Sequence, residues 1–318
     1  MDIVVLDGGI ANPGDLSWAE FEKFGNLTVY EDSNRHNAAA RIGAAQVVIL
    51  NKVPITRETM QACPGLKYIG LLSTGYNIID IQAAKELGII VCNVPGYSTD
   101  AVAQHTIALL LEICNQVGHH SAEVFDGQWS ETEGWSFWNT PLIELSGKTL
   151  GVIGFGSIGQ ATGKIAKALG MQVLATGSRP TPQGQALAQY VPLQQLLAQS
   201  DVVALHCPLL PQTENIINKE NINKMKQGAI LLNTARGGLV QEQDLADALN
   251  SGRLTAAGLD VVSREPIRSD NPLLHAKNCF ITPHIAWAAY ETRARLLALV
   301  QDNLQAFLQG KPTNVVNL

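Results

Sequence analysis

Thr149-Leu150-Gly151-Val152-Ile153-Gly154-Phe155-Gly156-Ser157-Ile158-Gly159-Gln160 holds the key to this chain. A short strand-forming run leads into G-x-G-x-x-G, and an Ala-rich helical stretch, Gln160 to Leu169, comes after it. In a chain with 28 glycines the bare motif says little. A strand before it and a helix after it give it meaning. Gly154 permits the tight turn, Gly156 lets the backbone approach a pyrophosphate, and Gly159 lets helix and strand pack closely. With Ser157 and Ile158 between them, the turn would present the unpaired N–H groups of a helix start to phosphates. A glycine-rich strand–helix turn without a ligand is the alternative.

Outward from this turn, short β-branched runs alternate with helical patterns. Leu150–Ile153, Gln172–Ala175, Val202–Leu205, Ala229–Leu232, Ala256–Leu259 and Cys279–Ile281 read as strands of one sheet. Ile3–Leu6, Val47–Leu50, Tyr68–Leu72 and Ile89–Cys92 read as strands of another, with a helix from Ile78 to Leu87. Continuous apolar runs of this kind belong to parallel strands covered on both faces. The fold class is therefore α/β, with two doubly wound parallel-sheet domains.

Two longer helical patterns frame the second sheet. Val102, Thr106, Leu109, Leu110, Ile113 and Val117 share one face, with Ser98-Thr99-Asp100 as cap candidates. Leu296, Leu297, Val300, Leu304, Phe307 and Leu308 share another, ahead of Gly310 and Pro312. The chain beyond that helix is too short for a domain, so the helix should pack back on the first unit. This predicts a discontinuous domain of residues 1–98 plus 286–318, with a dinucleotide-binding domain, 99–285, inserted in it. Residues 121–147 hold Trp129, Trp135, Phe137 and Trp138 among Gly, Glu and Ser. They read either as a loop packed on its own domain or as an arm burying aromatics on a partner subunit.

The 318 residues suit two domains. Twenty-two basic against 28 acidic residues give a net charge of −6, which argues against nucleic-acid and acidic-membrane partners. No window reaches the ~18 apolar residues of a spanning helix, and the N-terminus lacks a signal peptide's basic start. Five scattered cysteines without a C-x-x-C pair read as reduced thiols in a cytoplasmic protein that holds no metal.

About 20 residues beyond the turn, the ribose position reads Thr176-Gly177-Ser178-Arg179-Pro180. No acid is present there to take a 2′-hydroxyl. Ser178 and Arg179 can instead accept a 2′-phosphate, so NADP is favoured while NAD stays open. Three further residues lie at or just after strand ends: Arg236 in Ala235-Arg236-Gly237-Gly238, Glu265 in Glu265-Pro266, and His284 in Pro283-His284-Ile285. Ligands of doubly wound sheets bind at such carboxyl ends. His206 also ends a strand and is weighed as a cofactor contact. His36, His105, His119, His120 and His275 read as surface or linker residues.

From about residue 40 onward, G-x-G-x-x-G, Ala-Arg-Gly, Glu-Pro and Pro-His-Ile occur in the order seen in D-isomer-specific 2-hydroxyacid dehydrogenases, and the chain resembles that family. The resemblance implies two Rossmann-like domains, the discontinuous one binding substrate, and a homodimer. It implies His284 as general acid/base, Glu265 as the group that orients its ring and favours its charged form, and Arg236 as the fork for the substrate carboxylate. Thr74 and Gly75 match the substrate loop. Cofactor contacts carry over to Gly154, Gly156, Ser157, Ile158, Gly159, Cys207, Pro208, Thr234, Ala235, Asp260 and His284. Ser157 stands where Arg or His is frequent, and Gln104 where Glu is common. Trp287 replaces a small residue and would wall the pocket for a compact substrate. The pattern around 99–106 and 141–145 resembles the D-glycerate dehydrogenase (hydroxypyruvate reductase) branch, with glyoxylate as a second substrate. A D-lactate-type enzyme and a non-enzymatic NAD(H)-sensing corepressor are the alternatives.

Overall fold

The computed structural model describes residues 1–177 and 179–318. The chain divides into two compact units, Met1–Ser98 with Ala288–Leu318, and Thr99–Trp287. The first unit resumes at Ala288, two residues later than the sequence pattern predicts.

The first unit is built on a parallel sheet of five strands: β1 (Asp2–Val5), β2 (Asn26–Val29), β3 (Val47–Leu50), β4 (Tyr68–Leu71) and β5 (Ile90–Cys92). Their order is β2-β1-β3-β4-β5. β3 and β4 are buried at every position, as their unbroken apolar runs require. β2 is mostly exposed and has no such run, which is why the sequence did not show it. The edge at β5 is covered by the chain's last residues. Val91 N–H donates to Asn317 Oδ1 at 3.0 Å, Asn317 Nδ2 donates to Ile89 O at 2.7 Å, and Val316 N–H donates to Val91 O at 2.9 Å. Such cover withholds an unpaired edge from other chains.

The second unit carries seven parallel strands: β6 (Thr149–Ile153), β7 (Gln172–Thr176), β8 (Gln189–Tyr190), β9 (Val202–Leu205), β10 (Ala229–Asn233), β11 (Leu254–Leu259) and β12 (Cys279–Ile281). The order β12-β11-β10-β9-β6-β7-β8 reverses direction at β6 and β9. A crevice opens at such a switch point, outside the carboxyl ends of the strands.

Among the described residues, five helices have eight residues or more: α1 (Thr99–Asn115), α2 (Val117–Phe125), α3 (Ser157–Ala168), α4 (Glu242–Asn250) and α5 (Tyr290–Leu308). On β10, Ile230 and Leu232 join the core with Leu109, Leu110 and Ile113 of α1, while Leu231 joins that of Leu245 and Leu249 of α4. The alternating pleat thus feeds two cores on opposite faces. α5 packs back within the first unit as expected, with Phe307 4.8 Å from the Tyr68 ring. Arg293 on α5 forms a bidentate pair with Asp15, at 2.7 and 2.6 Å, and donates to Ala288 O.

One expected helix is two. Gln116 adopts a left-handed φ of +46°, which ends α1 at Asn115, and Val117 starts α2 as an exposed residue. The apolar period runs through the break, so it concealed it. In the segment at 121–147, Phe137 is half-buried while the other aromatics stay largely exposed. Trp135 is 97% exposed and Phe125 is 89% exposed, while Trp129 Nε1 donates to Trp135 O.

Candidate active site

The dinucleotide turn sits at the switch point between β6 and β9. Gly154 has φ +94°, and a Cβ there would lie 2.5 Å from Cys207 N and 2.6 Å from His206 C. Neither the conformation nor the space tolerates a side chain. Gly159 supports the helix start against the carbonyl of Gly154, which a Cβ would approach to 2.4 Å. Gly156 differs: a Cβ there would meet none of the described residues within 4 Å. The start of α3 has no side-chain cap and no acid in its first turn. Open space, uncapped N–H groups and the positive end of a helix dipole fit a pyrophosphate. Cys207 is buried behind this turn and Pro208 comes next, exposed.

His206, on the same crossing, donates to or accepts from Thr162 Oγ1 of α3 at 3.0 Å. Burial pushes its pKa down to about 4 from 6.5. The folded protein therefore keeps the ring neutral where the unfolded chain would protonate it. As pH falls from 6.5 to about 4, stability should drop by up to about 3 kcal/mol and then level off. Urea titrations across that range should show the slope in wild type and a flatter curve in His206→Gln. Equal slopes would mean that the ring titrates normally.

Ser178 lies outside the described residues. Arg179 comes after the end of β7 as an exposed side chain. Gly177 holds φ +78°, so an acid introduced there would be strained.

Glu265 and His284 meet. His284 Nδ1 lies 2.6 Å from Glu265 Oε2, with the two side chains 25% and 35% exposed. A carboxylate only accepts, so Nδ1 carries the proton of this bond and Nε2 is the nitrogen turned to chemistry. Glu265 Oε1 also accepts from Val262 N–H at 3.4 Å. Arg236 ends the neighbouring β10 loop, exposed, with Nη1 donating to Ala235 O at 2.6 Å. Its turn touches the Glu265 loop directly: a Cβ on Gly237 would fall 1.9 Å from Val262 C. Glu242 of α4 ties that same loop down through Ser263 N–H at 2.7 Å and Asn271 Nδ2 at 3.0 Å.

Around His284 the chain is held by Asp260, which accepts from Ile285 N–H and Ala286 N–H, each at 2.8 Å. Trp287 donates its indole N–H to His284 O at 3.0 Å. Thr234 bonds Thr106 of α1 at 2.8 Å, and Ala235 N–H donates to Asn233 Oδ1. His105, read from sequence as a surface or linker residue, lies on α1 with its ring 21% exposed and 2.9 Å from Thr282 Oγ1. Nothing local marks it, because its partner is 177 residues away. Thr74 and Gly75 belong to the first unit, in the loop after β4. Asn93 Nδ2 donates to Thr74 O at 2.7 Å, and Ser73 Oγ donates to Gly75 O at 2.6 Å.

Residues 107–286 match the family model for the D-isomer specific 2-hydroxyacid dehydrogenase, NAD binding domain. The chain belongs to this family. Among similar 2-hydroxyacid dehydrogenase relatives, the hydroxypyruvate reductase of Blautia hydrogenotrophica is 56% identical over 321 residues, covering 100% of both chains. A solved protein of Thermus thermophilus is 37% identical, with a TM-score of 0.86 over 99% of this chain and 100% of that one. An acyclic imino acid reductase solved with NADPH and D-Arg is 31% identical, with a TM-score of 0.85 over 99% and 100%. The second unit is thus the NAD(P)-binding part of a 2-hydroxyacid dehydrogenase.

Proposed function

We propose that this dehydrogenase reduces a small 2-keto acid, hydroxypyruvate first and glyoxylate second, to the D-2-hydroxy acid. The Glu265–His284 pair at the carboxyl end of the cofactor-binding sheet carries the reading. The likeness to a hydroxypyruvate reductase at 56% identity supports the substrate.

Bound NAD(P)H supplies the hydride. His284 Nε2 gives its proton to the substrate's carbonyl oxygen and takes it back in the oxidising direction. Glu265 keeps the ring oriented through Nδ1. Arg236 grips the carboxylate and the carbonyl with its planar fork. Trp287, tethered to the His284 carbonyl, restricts the pocket to a compact substrate. The assay is loss of NADPH and NADH absorbance across a panel of 2-keto acids. Hydroxypyruvate should give the highest kcat/KM. Failure of every keto acid with both cofactors overturns the reading.

The same assay decides the cofactor, for which we favour NADP. Residues 177–179 hold no carboxylate, and an arginine at 179, exposed, can add a charge-assisted bond to a 2′-phosphate. Such a bond contributes about 1.5–3 kcal/mol, roughly 10–150-fold in affinity. NADPH should be used at least as well as NADH, and Arg179→Ala should lose about tenfold or more with NADPH alone. A clear wild-type preference for NADH sinks this assignment.

The family expectation of a homodimer gains support from segment 117–142. It exposes Phe125, Trp129, Trp135, Trp138 and Leu142, and it buries three side-chain atoms that find no hydrogen-bond partner among the described residues: His120 Nε2, Glu123 Oε2 and Thr140 Oγ1. Surfaces of this kind are completed by another chain. Sedimentation equilibrium at the monomer mass would refute the dimer. Five free cysteines, four of them buried, support a cytoplasmic setting.

A further inference from the structure

His284 sits in an uncommon conformation, φ +56°, in a residue with a side chain. Such backbones persist where the surroundings impose them. Asp260 does so here. It is 1% exposed and accepts three bonds, from Ile285 N–H, Ala286 N–H and Thr282 Oγ1, the last at 2.6 Å. All three donors lie within two residues of His284. A threonine hydroxyl has one proton, and the 2.6 Å bond to the carboxyl oxygen takes it. Its oxygen then accepts from His105 Nε2, 2.9 Å away, which fixes that ring nitrogen as the protonated one. His105 Nε2 also lies 3.5 Å from Asp260 Oδ1. The direction of donation is unbroken: His105 to Thr282 to Asp260, with Asp260 closing on the amides after His284.

We propose that His105 is a positioning residue for proton transfer at His284, acting through Thr282 and Asp260. The proposal rests on the reading of His284 as the acid. Without the His105 donor, the Thr282 oxygen loses the bond that fixes its place and polarises its own donation to Asp260 Oδ1, so that donation weakens. The loop that carries His284 then loses one side of its clamp. The helix α1 makes this precise because the next residue, Thr106, bonds Thr234 at the end of β10. Two successive residues of one helix thereby hold the two strand-end loops of the site.

The test compares His105→Leu, His105→Gln, Thr282→Val, Thr282→Ser and the Leu/Val double variant in the full chain, with His284→Asn as reference. His105→Leu should lower kcat for hydroxypyruvate about tenfold, the scale of a sub-ångström misplacement, with KM within about twofold. His105→Gln, whose amide nitrogen reaches the place of Nε2, should restore kcat to within about threefold, and Thr282→Ser should stay near wild type. The double variant should lose no more than Thr282→Val alone, since the two act in series. In the cofactor-free protein, ring-labelled histidine NMR should give one sharp His284 signal in wild type and His105→Gln, and a broadened or doubled one in His105→Leu. Wild-type kcat in His105→Leu, failed rescue by Gln, or multiplying losses in the double variant overturns the proposal, while a large loss in His284→Asn leaves the underlying reading intact. If His284→Asn keeps wild-type kcat, the reading of His284 falls and the proposal with it.

Discussion

Replacing His284 with Asn should lower kcat for keto-acid reduction by about 10²–10⁴-fold, the usual contribution of a positioned proton donor. Asn is the informative substitute because it tolerates the left-handed backbone that this position requires. Its amide can also keep the bond to Glu265, so the loop should stay folded and cofactor affinity should change little. Single-turnover measurement of hydride transfer checks the effect even if product release limits steady turnover. A variant within a few-fold of wild type in that step would remove His284 from the mechanism.

Much of this site is legible in the order of residues alone. Arg236, Glu265 and His284 each come after the end of a short apolar run, and in a parallel sheet all such ends lie on one side. The seven-stranded order then makes their strands, β10, β11 and β12, neighbours. Most strands are legible because burial on both faces leaves an uninterrupted apolar run, while β12, a half-buried edge strand, keeps a short one of its own. β2 and β8 were not, since exposed edge strands carry no such run. His105 escaped for a different reason. Its meaning depends on Thr282 and Asp260, and hydrogen-bond partners that distant leave no spacing to read. Arg293 and Asp15, 278 residues apart, are the same case in the other unit.

Arg236→Lys should cut kcat/KM for the keto acid by on the order of 10²-fold, through loss of a charge-assisted fork that a single ammonium cannot replace. The charge is kept, so a merely electrostatic role would survive the change. Stability should hardly move: the side chain is exposed, and its guanidinium donates to the carbonyl of its own neighbour, Ala235. Thermal melting and kcat/KM, measured together, separate the two roles. Free exchange of Lys for Arg would leave Arg236 as a turn residue ahead of Gly237, which packs against Val262.

The closure of β5 by the tail has a consequence for the order in which a growing chain settles. All seven strands of the second sheet come from one continuous stretch, so that unit can complete itself as soon as its own residues have emerged. The outer edge of β5 must wait for Asn317, 226 residues after Val91. During synthesis Ile90, Val91 and Cys92 therefore stand as an unsealed apolar edge, the feature that recruits other strands and calls for chaperone protection. Pulsed hydrogen exchange during refolding should accordingly protect Val203 and Leu231 before Val91.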